Sequence, residues 1–108
     1  MQVIKKKDIS LASELNLLIS EEIGAKYCQA GIARISIGRS LPENGYSKHP
    51  TEEVCYIVKG KVRVETKRLI QDLEEGDIVF IEENEEHRNV NIGEEEALIF
   101  WVTVPPTL

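Results

Sequence analysis

The sequence predicts an all-β fold, an antiparallel sandwich or barrel, on three observations. Short apolar runs recur from Tyr27 to Val104, turns containing glycine separate them, and almost none of the chain has helical periodicity. At 108 residues the chain has the length of one domain, and no repeat, linker or break in composition divides it. We therefore expect a single domain over 1–108, with an N-terminal arm over 1–20 and the barrel over 26–104.

Element by element, residues 1–20 are the least determined. Ser10 to Ser20 (SLASELNLLIS) reads either as a short helix capped by Ser10 or Ser13, or as a segment ending in a strand at Leu17–Ser20. Tyr27 to Ile37 alternates as a strand, with Ile32, Arg34 and Ser36 on one face and Ala33, Ile35 and Ile37 on the other. Gly38 to Gly45 is rich in turn formers and reads as a loop. Val54–Val58, the turn Lys59-Gly60-Lys61 and Val62–Thr66 make a hairpin. A short apolar piece, Leu69-Ile70, leads to a turn at Glu74–Asp77, the strand Ile78–Ile81 and the acidic loop Glu82–Glu86. A strand from His87 to Ile92 follows, then a last strand, Ala97–Val104, stopped by Pro105 and Pro106. Val54–Val58 and Leu98–Val104 are apolar on both faces, which suits strands covered by a core on one side and a second sheet or partner subunit on the other.

Charge and composition exclude several classes. A net charge of −6 opposes a nucleic-acid surface, and the one basic run, Lys5-Lys6-Lys7, reads as a solvated arm. No apolar stretch approaches the roughly 20 residues that cross a bilayer, and polar residues interrupt Ile9 to Leu18, so neither a membrane span nor a signal peptide is expected. The expected location is the cytoplasm, where Cys28 and Cys55 would be two buried free thiols, the alternative being a disulfide between them. The glutamates of 82–86 and 94–96 read as solvated loop charge that keeps sheet edges soluble.

The stretch Ser47 to Gly60, SKHPTEEVCYIVKG, holds the candidate chemistry. Residues two or four apart on a strand share a face, so His49 and Glu53 point one way and Glu52 the other. Ser47 and Cys55 continue the first face if the strand runs regularly through Pro50. The only other histidine, His87, opens a strand with Asn89 and Asn91 on its face. Two imidazoles and a carboxylate make the set used by open iron(II) sites, and one acceptable to manganese, zinc, nickel or copper. The alternative is a polar hydrogen-bonded cluster without metal, since a buried carboxylate needs partners that imidazoles can supply.

The stretch HPTEEVCYIVKGKVRV resembles the first motif of the cupin superfamily, His-x-His, three or four residues, Glu, six residues, Gly, with His49, Glu53 and Gly60 in matching places. GDIVFIEENEEHRNVN resembles the second motif, with Gly76, His87 and Asn91 in place. The resemblance implies a jelly-roll, double-stranded β-helix barrel and a metal held by His49, Glu53 and His87. It also exposes departures. Ser47 stands where the first histidine would, and would orient a metal-bound water instead. Glu82 and Asn84 replace a proline and a glycine, which implies a differently shaped turn before His87.

Around that set, Cys55 reads as a pocket-lining or simply buried thiol, and Trp101 as core or pocket wall. Asn91 is expected behind the ligands or fixing a loop. An inward Arg34 would anchor a carboxylate or phosphate; a salt bridge at the rim or at a dimer contact is the alternative. Three functions follow as expectations. The first is a metal-dependent enzyme on a small polar molecule, of the dioxygenase, isomerase, lyase or decarboxylase kinds the resemblance brings. The second is a non-catalytic barrel that senses or stores a small molecule. The third is assembly, with the outer strand faces forming a homodimer.

Overall fold

Strands with apolar faces must cover them, and the chain covers the inner faces by stacking two sheets. The computed structural model describes residues 1–106. One sheet, in the order β1-β2-β9-β4-β7, is built from β1 (Leu15–Ile19), β2 (Gln29–Ile35), β9 (Ala97–Val104), β4 (Glu52–Lys59) and β7 (Ile78–Ile81). The other, β3-β8-β5-β6, holds β3 (Ser40–Leu41), β8 (His87–Asn91), β5 (Lys61–Thr66) and β6 (Ile70–Glu74). Every strand pairing is antiparallel, and the chain steps from one sheet to the other at every connection except β1–β2 and β5–β6. This is an all-β antiparallel barrel of the jelly-roll type, as the sequence predicts. Among the described residues the only helical pieces are single 3₁₀ turns at Lys6–Asp8 and Glu21–Ile23, and no helix is long and apolar enough to cross a membrane.

Several local readings need correction. Leu15–Ile19, inside the expected N-terminal arm, is a sheet strand that pairs with β2. The helix alternative for 10–20 therefore loses to the strand, which also starts earlier than expected. Ser40–Leu41, read as loop, makes a two-residue strand against β8. The piece at Leu69-Ile70 extends to Glu74, because β5 offers it five consecutive pairing partners. Both thiols are free, but only Cys55 is buried, while Cys28 is half-exposed.

The inner face divides the barrel into two ends. At one end Ile35, Ile57, Val62, Ala97 and Ile99 are almost fully buried and close the core. Towards the other end the inward positions of β4 and β9 become Cys55 opposite Trp101, then Glu53 opposite Thr103. The outward positions of the same sheet leave Val54, Tyr56, Val58, Ile78, Phe80, Phe100 and Val104 exposed by more than a third. That is more contiguous apolar surface than scattered exposure explains.

Two glycines are required by position. Gly60, at φ 87°, turns the chain between β4 and β5 in a conformation that L side chains rarely adopt; the two strands lie in different sheets and do not pair, so the expected hairpin is instead a crossing from one sheet to the other. Gly31 lies on the inner face of β2 opposite Trp101, and a Cβ there would overlap the Asn16 backbone oxygen and stand 2.8 Å from the indole Cζ2. Neither neighbour is a flexible tip. Gly31→Ala should therefore cost about 2 kcal/mol or more through overpacking, lowering the midpoint of thermal unfolding by about 10 °C for a domain of this size. Gly24→Ala meets open space but holds a positive φ, so it should cost less. Equal losses in a calorimetric comparison would refute the packing role of Gly31.

Candidate metal centre

Glu53 is the inward glutamate because β4 pairs Glu53 with Thr103 on one side and Ile81 on the other, all three on the inner face, while Glu52 is exposed. Its two carboxylate oxygens are differentiated. Oε2 accepts a hydrogen bond from Cys55 Sγ at 3.0 Å. Oε1 faces both imidazoles, 3.9 Å from His49 Nε2 and 3.8 Å from His87 Nε2. Burial of the Cys55 thiol, then the adjacent Glu53 charge and the hydrogen bond, push its pKa well above the ordinary value. The thiol thus stays protonated and acts as a donor.

His87 is held from behind. Its backbone exchanges two hydrogen bonds with Ser47, at 2.8 and 3.0 Å, and its Nδ1 lies 2.8 Å from the Glu85 carbonyl oxygen. A carbonyl only accepts, so Nδ1 carries the proton and Nε2 presents its lone pair to the interior. His49 precedes β4 rather than belonging to it, since Pro50 and Thr51 bend before the strand begins. Its carbonyl accepts the Asn84 N–H at 2.7 Å, which ties it to the turn that carries His87. The two rings sit 5.3 Å apart, with His49 at the mouth, its side chain 29% exposed, and His87 inside at 5%.

Asn84 lies in the turn before His87, at the place the motif gives to glycine. It adopts φ 61°, the left-handed conformation open to glycine and tolerated best by asparagine among other residues. Replacing a glycine there leaves this backbone shape accessible.

The three ligand atoms all lie within 4.8 Å of one another. Separations of 3.8 and 3.9 Å are too long for direct hydrogen bonds, which need 2.7–3.2 Å for N–H···O. Around one ion with bonds of about 2.0–2.2 Å, adjacent ligand atoms stand about 3.0–3.5 Å apart, so small side-chain rotations suffice. The donor set fits a first-row divalent metal: two imidazole nitrogens, a carboxylate oxygen aimed between them, and outer hydrogen bonds that orient Glu53 through Cys55 and His87 through the Glu85 carbonyl.

The cluster opens on a cavity of about 90 Å³ between the sheets, lined also by Ser47, Thr51, Cys55, Asn89, Trp101 and Thr103. At roughly 10–15 Å³ per water on this measure, it holds several waters or one small molecule. Of the alternatives the sequence leaves open, Arg34 takes the salt bridge and Asn91 the loop-fixing role, both away from the cavity. Arg34 is on the outer face of β2, paired with Glu96 at 3.4 Å, because the inner side of that strand is taken by Gly31, Ala33 and Ile35. Asn91 is buried at the far end of the inner face of β8, where its amide donates to the Ile35 and Glu95 carbonyls and its oxygen accepts the Gly93 N–H. It fixes the β8–β9 loop and does not line the cavity. Sequence reasoning missed Thr51 and Thr103; a threonine two residues before Glu53 was the one visible sign.

A family model described as a cupin domain matches residues 35–103. No curated protein matches the chain. Among solved structures, the polyketide cyclase RemF from Streptomyces resistomycificus superposes with a TM-score of 0.79 at 17% identity, over 99% of this chain and 82% of that one. A predicted oxalate decarboxylase from Thermotoga maritima gives 0.73 at 22% identity, over 85% and 79%. A Bacillus halodurans protein gives 0.71 at 16% identity over 77% of this chain, which spans 66% of that protein's length. These likenesses concern the fold. With a family match over more than half its length and the barrel that goes with it, this chain belongs to the cupin-domain family.

Proposed function

We propose that the protein is a small metal-dependent enzyme acting on a small polar molecule, with His49, Glu53 and His87 as the metal-holding residues. The observation that carries this reading is the convergence of two ring nitrogens and a carboxylate oxygen at an internal cavity, with Glu53 and His87 each held by an outer hydrogen bond. A bound iron, manganese, zinc, nickel or copper ion would supply Lewis-acid or oxygen chemistry with open positions for substrate. Ser47, which lines the cavity, leaves a ligand place unfilled and can hydrogen-bond a water or substrate oxygen there. Glu53, if loosely held, is the one carboxylate lining the cavity and the natural proton acceptor. The likeness in fold to the polyketide cyclase RemF supports an enzymatic reading. Two unpaired cysteines suit a reducing compartment, which supports a cytoplasmic location.

Protein purified without chelators or a metal-leaching tag should contain near-stoichiometric divalent metal by mass spectrometry. His49→Ala and His87→Ala should lose most of it, and Cys55→Ala should weaken affinity about tenfold by freeing the carboxylate. Absence of metal, with titrated affinity no better than micromolar, would leave the second reading, a non-catalytic small-molecule barrel.

The exposed apolar face of β4, β7 and β9 supports a homodimer through that sheet. Light scattering should give twice the 12.2 kDa chain mass, and Phe80→Lys at the face should shift it to the chain mass. A monomeric wild type at high concentration refutes the dimer.

A further inference from the structure

The cavity has a polar end and a hydrocarbon end. His49, Glu53 and His87 stand at the first, while Leu15, Ala33, Leu41 and Ile99 line the second. Strand pairing accounts for the second end. Leu15 lies across from Ala33, and Ala33 across from Ile99, so the three are inward positions of one row over β1, β2 and β9. Leu17 takes the next inward position of β1, opposite Gly31. Leu15 and Leu17 are nevertheless 50% and 47% exposed. The facing sheet ends in β3, two residues long, and leaves them uncovered. Single exposed leucines on an outer face are ordinary. A half-exposed leucine that faces inward and lines a cavity holding the candidate metal site is a contact surface for what the cavity takes.

The charge of the cavity is fixed by its lining. Glu53 is its one acidic residue, and among the described residues no lysine or arginine lines it. A divalent ion held by Glu53 and two neutral imidazoles leaves one net positive charge there. The size is bounded too. A cavity of about 90 Å³, at roughly 10–15 Å³ per water-sized group, admits about six to nine non-hydrogen atoms.

We propose that the ligand is a small monoanionic chelator with an aliphatic body, an α-keto or α-hydroxy monocarboxylate, and that Leu15 and Leu41 select the body. This rests on the metal reading above and adds to it the class of ligand. A set of three protein ligands leaves adjacent positions open, which suit the neighbouring oxygens of such a head group. One negative charge cancels the one left over at the centre. A second carboxylate, or a phosphate, would lie against Leu15 and Leu41 as a buried anion without a counter-ion. Asn89, across the β3–β8 ladder from Leu41, is uncharged and cannot balance it. A sugar would set several hydroxyls against side chains that offer them no hydrogen bond.

Zinc-loaded full-length protein is titrated by calorimetry with α-ketoisocaproate, pyruvate and α-ketoglutarate, which share the chelating head. α-Ketoisocaproate should bind about tenfold or more tighter than pyruvate, because its longer hydrocarbon body is buried, and with the more negative heat-capacity change. α-Ketoglutarate should bind more weakly than α-ketoisocaproate by a similar factor, since its second carboxylate meets the leucines. Leu15→Thr and Leu41→Thr should each narrow the preference for α-ketoisocaproate over pyruvate about fivefold. The half-exposed Leu15 can be replaced without opening the core, and the zinc content of each variant reports whether its centre is intact. With zinc bound, equal affinities for α-ketoisocaproate and α-ketoglutarate, or for α-ketoisocaproate and pyruvate, overturn the ligand class and leave the metal centre standing. Binding of none of the three acids does the same. A preference that survives both leucine substitutions overturns the selecting role of Leu15 and Leu41. Failure of zinc to bind overturns the metal reading itself, and the charge argument falls with it.

Discussion

The register of β4 against β9, and of β9 against β2, is the constraint on which the site depends. It sets Glu53 beside Thr103 and Cys55 beside Trp101 on the inner face, and Gly31 beneath the indole. Because side chains repeat every two residues, a slip of one position would turn Glu52, Val54 and Phe100 inward and send the carboxylate to solvent. Hydrophobic burial enforces the register at the closed end, where Ile57, Ile99 and Ile35 are almost fully buried. Polar residues at the open end gain their positions from apolar residues that do no chemistry. The irregularity near the end of β4, between Ile57 and Lys59, falls beyond those residues and leaves the pairing at Glu53 undisturbed.

Within that frame the cluster is organised by dividing the donors and acceptors of each residue. Cys55 occupies one oxygen of Glu53, and the Glu85 carbonyl occupies one nitrogen of His87. What remains of each points to the same place. A thiol is well suited to this role, since burial beside a carboxylate keeps it protonated and it can donate without adding charge. A histidine or lysine at that position would add a cation and compete with a metal for the carboxylate.

Much of this was legible in the sequence, and the exceptions have physical causes. Alternation chose Glu53 over Glu52 because both lie inside a regular strand. The same rule reached His49 by an argument that does not hold there, since the strand begins only at Glu52; His49 is brought in by the bend at Pro50 and Thr51 and by the Asn84 N–H. Arg34 kept two readings in the sequence, pocket anchor and salt bridge, because alternation separates two faces without saying which is inside, and β2 carries apolar residues on both. β1 was obscured by Ser13, Glu14 and Asn16, yet Asn16 is buried and its amide donates to the Ser13 and Ile32 carbonyls. Thr51, Trp101 and Thr103 could not be grouped without knowing that β4 has β9 as its neighbour, a pairing distant in sequence.

The same two strands that carry the site on their inner face carry the exposed apolar patch on their outer face. Val54 and Tyr56 alternate with Glu53 and Cys55, and Phe100 and Val102 alternate with Trp101 and Thr103. A partner packed on the outer face would therefore hold β4 and β9 from behind, opposing the strand separation that would let Glu53 and Thr103 drift apart. A site whose ligand atoms are placed by two strands, rather than by one loop, is as rigid as their pairing. That links the cost of leaving apolar side chains outside to the need for a fixed carboxylate inside: β-branched and aromatic residues on the outer positions favour the strand, and their burial in a dimer would reinforce it.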